Sequence, residues 1–257
     1  MVKHLNAAAL WPAPPELPSP TMSDQRWTDA IFLHWRIPEP VAARFMPQGV
    51  QPDNFDGTSW VGLVGFRMKN AGIGRGPGIP YLGSFNEVNV RLYSREPDGT
   101  RGVVFLSLDA NRLPVVLAAR AAQVPYVWSR IHYRQLQSAD PQAPSTGYAV
   151  SRYRRGASSR FSVVPRLNAP AQDALSIHVT ARFGMHGNIG GRTFYIPNTH
   201  KPWPLYAAEL HDFQDDLVKS AGISVSGPPE SVLYSPGVRT QFGRPRVVID
   251  RGQLPGT

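Results

Sequence analysis

The sequence predicts a mainly β fold of the α+β kind, one antiparallel domain carrying two substantial helices. Three observations carry this. Glycine (23) and proline (26) scatter turn residues along all 257 positions. Aromatic residues reach 10%. Short apolar or alternating runs recur between turn signals, whereas only two stretches show extended helical spacing. A hydrophobic content of 42% is enough for one large core.

The elements follow in order. Residues 1–22 read as a disordered, Pro-rich leader, with Met22 an alternative start, and residues 23–257 as a single domain. The apolar segment Ala7 to Trp11 is too short for a secretory signal. Trp27 to Ile37 reads as a strand stopped by Pro38. Glu39 to Met46 allows a helical turn or two, and Asp56-Gly57 is a turn. Trp60 to Met68 is apolar on both faces and predicts a buried strand. Gly72 to Gly78 alternates glycines, but its spacing fits no phosphate-binding loop and Pro77 and Pro80 oppose a following helix.

Ser84 to Tyr93 and Arg101 to Asp109 predict a hairpin around Glu96-Pro-Asp-Gly-Thr100. Closing a three-residue loop there sets Arg91 opposite Phe105, Asn89 opposite Ser107 and Glu87 opposite Asp109. Leu113 to Gln123 predicts the first substantial helix, with Pro114 in its first turn. Val124 to Arg134 is a strand. Residues 147–155 and 160–166 form a second hairpin around Gly156. Residues 175–191 are ambiguous. Arg192 to Pro197 is a short strand. Trp203 to Ser220 predicts the second substantial helix, because Leu210, Phe213 and Leu217 fall at helical spacing and Gly222 follows. Val232 to Tyr234 and Arg246 to Ile249 are the last strands.

Composition narrows the chemistry. With no cysteine, disulfides, thiolate chemistry and cysteine-ligated metals are excluded. No run of about 18 apolar residues predicts a membrane span, and a cytoplasmic protein is expected. The net charge of +9 rests on 27 basic residues, of which only Lys3, Lys69, Lys201 and Lys219 are lysines. The histidines make no HxH or HExxH pattern, so no metal is expected. No GxSxG elbow is present. The basic run Arg152, Arg154 and Arg155, with Arg160 and the interleaved Tyr153, is the one nucleic-acid or anion-binding candidate. Charges along a solvated hairpin edge are the favoured explanation, since no recognisable nucleic-acid motif accompanies the run, and nucleic acid is disfavoured as a partner.

The hairpin carries the stronger candidate. On one face of FNEVNVRLY stand Phe85, Glu87, Asn89, Arg91 and Tyr93. If that face is buried, Glu87 beside Asp109 forces one carboxyl to a raised pKa, as a general acid or base requires. If it is wet, Glu87 and Arg91 are an ordinary surface pair.

Six ordered blocks, FLHWRIPEP, MPQGVQPDNFDGTSWVGLVGFRM, FNEVNVRLY, GVVFLSLDA, THKPWPLYAAEL and VLYSPGV, resemble the YqjF-like, DUF2071 family. That family is in turn similar to the acetoacetate decarboxylase-like fold, a mostly antiparallel β-barrel or cone with an internal cavity. In decarboxylases of that fold an aromatic-Asn-Glu strand puts its carboxylate into the cavity. Phe85-Asn86-Glu87 matches it, so the resemblance turns the Glu87 face inward. A first-strand Arg after an aromatic residue and ahead of a Pro that opens the next segment is matched by Trp35-Arg36 and Pro47. The decarboxylases form a Schiff base through a Lys in a Pro-Lys-Lys segment. Here the corresponding residues are Val124-Pro125-Tyr126-Val127-Trp128, without a lysine, and imine chemistry is not expected.

The resulting expectation is a small-molecule-binding protein, or an enzyme of unassigned acid–base reaction, for a carboxylate- or carbonyl-bearing ligand. Glu87 is the acid–base residue. Arg91, Asn89, Arg36, Asp109, Phe85, Tyr126 and Trp128 line the ligand site. No cofactor is implied, and homo-oligomerisation is left open. The rival reading is a basic protein for nucleic acid or another anionic partner through the Arg152 run.

Overall fold

The computed structural model describes residues 12–136, 145–154 and 156–249. β1 (Ser23–Ile37) is followed by the short helix α1 (Glu39–Ala43), β2 (Gln51–Pro52) and β3 (Ser59–Ile73). β4 (Phe85–Arg95) and β5 (Arg101–Ala110) form the expected hairpin, ahead of α2 (Leu113–Ala121). Then come β6 (Tyr126–Leu136), β7 (Ser145–Arg152) and β8 (Ser158–Pro170). The ambiguous stretch resolves into α3 (Ala174–Thr180) and β9 (Gly184–Ile189), leading to β10 (Arg192–His200) and β11 (Tyr206–Asp215). α4 (Leu217–Ser220), β12 (Ser231–Phe242) and β13 (Arg246–Val247) complete the described chain.

All the strands join one sheet, antiparallel except where β5 meets β6 and β9. Its pairings close on themselves in part. One circuit runs β5–β6–β7–β8–β11–β12–β1–β3–β4 and returns to β5. A second leaves β5 through β9 and β10 and rejoins at β12. The sheet is therefore partly ringed, and β12, β1, β3, β4 and β5 serve both circuits. Of the shared strands β3 is buried on both faces over most of its length, which is why Trp60 to Met68 shows little polar alternation. Leu33, Leu63, Val90, Ile131, Val150 and Phe161 pack in one core. Phe32, Val64, Phe66, Tyr93, Val103 and Trp203 pack in the other, and that second compartment contains the cavity.

The hairpin turn forms as expected, with Glu96 N–H donating to Thr100 O at 2.8 Å and Gly99 at a φ of +91°. The predicted register holds from Arg95↔Arg101 to Arg91↔Phe105. A bulge between Val90 and Arg91 then shifts it by one, pairing Asn89 with Leu108, Val88 with Asp109 and Glu87 with Ala110. Asp109 thereby leaves the Glu87 face for the opposite one.

The first predicted helix is α2, whereas the second, Trp203 to Ser220, is mostly the strand β11, with only Leu217–Ser220 helical. The cause is a second bulge. Pairing with β8 shifts between Leu210 and Asp212, so Leu210 and Phe213 reach the same core although they stand three residues apart. A bulged strand has here imitated helical spacing. Ahead of β1, residues 12–22 run without helix or strand, and Met22 N–H joins Phe242 O at 2.8 Å.

Candidate functional site

The face of β4 that carries Glu87, Asn89 and Arg91 is turned inward. These three line a cavity of about 240 Å³, together with Val64 and Phe66 of β3 and Phe105 and Leu108 of β5. The far wall comes from the α3–β9 link and from β10, through Arg182, Met185, Asn198 and His200. Beside the cavity Gly62 lets Tyr93 and His34 pack closely, since a Cβ there would meet Tyr93 Oη at 2.9 Å and His34 Cδ2 at 3.1 Å.

At one end Glu87 is 2% exposed. Tyr126 Oη donates to its Oε2 at 2.8 Å and Asn89 Nδ2 to its Oε1 at 3.2 Å. Loss of water outweighs both hydrogen bonds, and burial pushes the carboxyl from 4.5 up to about 7. Glu87 can thus hold or release a proton near neutrality, the property a general acid–base group needs. Tyr126, itself buried, has its phenol pushed well above 10 and stays a donor.

At the other end the charge is positive. Arg91 donates through Nε to Tyr93 Oη at 3.3 Å and through Nη2 to Val179 O at 3.1 Å. Arg182, 4% exposed, lies over the Tyr93 ring at 4.9 Å. Its Nε donates to His178 O at 2.7 Å and its Nη1 to the Asp53 carboxylate. Asp53 also accepts from Arg101 Nε at 2.6 Å, so one carboxylate serves two guanidinium groups. His178 adds no charge, because burial brings its pKa down to about 3. Burial likewise holds His34 and His200 below the ordinary imidazole value, as neutral groups.

Four residues on the cavity wall carry a buried polar atom with no hydrogen-bond partner: Trp27 Nε1, Asn89 Oδ1, Arg182 Nη2 and Asn198 Oδ1. Buried polar groups are nearly always paired, so their concentration around one cavity marks a place where a polar guest sits. Among the described residues no three His, Asp or Glu side chains group as metal ligands.

The structure brings Glu87, Asn89, Arg91 and Tyr126 together and separates the other predicted site residues from them. Phe85 packs in the core beside the cavity without lining it. Asp109 is fully buried on the opposite face, accepting from Arg152 at 2.8 Å and from Ser129 at 2.6 Å. Trp128 is 39% exposed on the outside of β6, its ring 4.1 Å from that of Tyr153. Arg36, placed in the site by the Trp35-Arg36 and Pro47 match, points outward and pairs with Glu230 at 2.8 Å, because alternation along β1 gives Trp35 to the core. The basic run is not a common surface either: Arg152 is buried against Asp109 and Arg160 pairs with Asp212 at 2.8 Å. Arg154 is exposed, and Arg155 lies outside the described residues. Arg182, Asn198 and Trp27 were missed, since long-range packing alone brings them here. The one local sign was an arginine inside the otherwise buried run Ile177 to Phe183.

The DUF2071 family model, described as an uncharacterized conserved protein, matches residues 24–239. The uncharacterized protein YqjF of Bacillus subtilis is 27% identical over 215 residues, covering 80% of this chain and 83% of that one. Among solved structures, the enduracididine biosynthesis enzyme MppR complexed with pyruvate superposes with a TM-score of 0.62 at 14% identity, over 91% of this chain and 92% of that one. Acetoacetate decarboxylase from Legionella pneumophila gives 0.61 at 12% identity, over 98% and 99%. An acetoacetate decarboxylase-like enzyme from Sphingomonas wittichii gives 0.62 at 10%, over 89% and 93%. The architecture is therefore acetoacetate decarboxylase-like. Among the described residues, no helix is long and apolar enough to cross a membrane.

Proposed function

The chain belongs to the DUF2071 family, and we propose that it binds a small carbonyl-bearing acid in its cavity and moves a proton on it through Glu87, without an imine. The carrying observation is a buried carboxyl, held near a pKa of about 7, on the wall of a cavity where Trp27 Nε1, Asn89 Oδ1, Arg182 Nη2 and Asn198 Oδ1 lack partners. The ionised Glu87 takes a proton from the carbon next to the ligand carbonyl. The electron pair moves into a carbon–carbon double bond and onto the carbonyl oxygen. Arg91 supplies positive charge for that oxygen, and the proton returns from Glu87 to carbon. Among the described residues no lysine lines the cavity, and Tyr126, from the segment that the resemblance aligns with the decarboxylase lysine, donates to Glu87, which supports a route without an imine.

The test is deuterium exchange of the α-hydrogens of phenylpyruvate and 4-methyl-2-oxopentanoate in D2O, followed by NMR. The expected result is exchange accelerated over buffer by wild type and not by Glu87→Gln, with no protein adduct after borohydride. Equal exchange by Glu87→Gln, or a borohydride-trapped adduct, would overturn the mechanism.

A further inference from the structure

The cavity is chemically polarised. Glu87 and Arg91 are four residues apart on one face of β4, about 14 Å along the strand, and Arg182 lies over Tyr93, two residues beyond Arg91. Much of the wall is apolar: Phe32, Phe66, Met68, Phe105 and Trp203 all line it. Arg182 is 4% exposed, and its buried Nη2 has no partner. Trp27 Nε1 is a second unpartnered donor on the same wall. Asp53, the only carboxylate hydrogen-bonded to Arg182 among the described residues, is shared with Arg101, so positive charge is left over. A buried guanidinium N–H with no acceptor is costly, and the acceptor it suits is a carboxylate.

We propose that Arg182 is the carboxylate anchor of this cavity and that its ligand is a compact monocarboxylic acid with an apolar body. The proposal rests on the cavity reading above and adds the identity of the anchor and the class of acid. A second carboxylate would be driven toward Glu87, where like charges repel, or into an apolar wall, where it would be left unpaired. Dicarboxylates are therefore selected against. The ligand carboxylate would accept from Arg182 Nη2 and Trp27 Nε1, the carbon next to its carbonyl would face Glu87, and its apolar body would lie among the aromatic rings.

Asn198 offers an independent handle. Its backbone N–H donates to Phe183 O at 2.9 Å, which holds it next to Arg182, and its Oδ1 is unpartnered. An aspartate there would supply the anion that Arg182 lacks and compete with the ligand, at almost no change of shape.

The test is calorimetric titration with phenylpyruvate, the uncharged ketone phenylacetone and the dicarboxylate 2-oxoglutarate. Wild type should bind phenylpyruvate at least about 10-fold more tightly than either of the others. Arg182→Gln should lose about 10- to 100-fold for phenylpyruvate, the worth of hydrogen bonds to a charged group, with phenylacetone unchanged and Arg182→Lys intermediate. Asn198→Asp should weaken phenylpyruvate alone, and it carries the test if Arg182→Gln fails to fold. Undiminished phenylpyruvate binding by Arg182→Gln or Asn198→Asp would overturn the anchor while the cavity reading stands. Equal binding of 2-oxoglutarate would overturn the monocarboxylate class. Binding of none of the three to wild type would overturn the cavity reading and the anchor with it.

Discussion

The Tyr126 phenol donates a 2.8 Å hydrogen bond to Oε2 of Glu87. The bond favours the ionised carboxylate, so it opposes the effect of burial. Tyr126→Phe keeps the ring and removes the donor. The Glu87 pKa should then rise above about 7, by roughly one to two units for a charge-assisted hydrogen bond. The pH profile of α-hydrogen exchange should shift alkaline by the same amount. An unshifted profile would show that Glu87 is not the titrating base.

Glu87 also links stability to pH. Its carboxyl titrates near 4.5 unfolded and at about 7 folded, so the folded state holds the extra proton between those values. Its contribution is fully present below 4.5 and is lost as pH rises through 7. The loss is of order 3 kcal/mol. Glu87→Gln lacks this dependence. Its Nε2 can be received by Asn89 Oδ1, which is unpartnered in the native protein, if the Asn89 amide turns over. Urea unfolding from pH 4.5 to 8.5 should show the variant gaining on wild type as pH rises, by about 3 kcal/mol in all. The buried histidines, which have lowered pKa values and destabilise toward acid, contribute equally to both proteins and cancel. A constant difference would remove the raised pKa.

Asp109 and Arg152 form a buried pair, with side chains 0% and 7% exposed. Removing one partner leaves an uncompensated charge in the core. Asp109→Leu alone should cost about 3–5 kcal/mol, and adding Arg152→Leu should recover much of that loss. A double-mutant cycle by chemical denaturation measures the coupling. A cycle that closes additively would place Arg152 in solvent and return it to the basic run as a surface residue.

Arg36 should behave in the opposite way. Its pairs with Glu230 and Asp56 are at the surface, so Arg36→Ala should cost under about 1 kcal/mol. Titration with phenylpyruvate should give unchanged affinity. A large loss of binding would bring Arg36 back as a cavity residue.

What the sequence made legible was local. Pro97-Asp98-Gly99 specifies a tight turn whatever surrounds it, and the hairpin formed there. Both-face hydrophobicity in Trp60 to Met68 announced a strand shared by two cores. Bulges defeated the rest. The one after Val90 has no side-chain signature, yet it moved Asp109 to the far side of the sheet from Glu87. The one between Leu210 and Asp212 disguised β11 as a helix. Arg182 was illegible for another reason: its place on the cavity wall comes from long-range packing of the α3–β9 link and β10 around the cavity.

One arrangement resembles a catalytic relay. Ser94 Oγ lies 2.9 Å from His186 Nδ1, and His186 Nε2 lies 3.1 Å from Glu96 Oε1. Burial keeps His186 below its ordinary pKa, so the neutral ring can donate to Glu96 and accept from Ser94. A serine nucleophile must also reach a substrate, and Ser94 is 0% exposed. Arg246 further holds both oxygens of Glu96, tying β13 to the hairpin turn. The three residues therefore act as a structural clamp. A fluorophosphonate probe should leave Ser94 unlabelled in intact protein. Ser94→Ala should lower stability by about 1 kcal/mol, the net worth of a buried hydrogen bond, and leave α-hydrogen exchange as fast as in wild type. Labelled Ser94, read by peptide mass mapping, would make the clamp a hydrolytic site and move the chemistry away from Glu87.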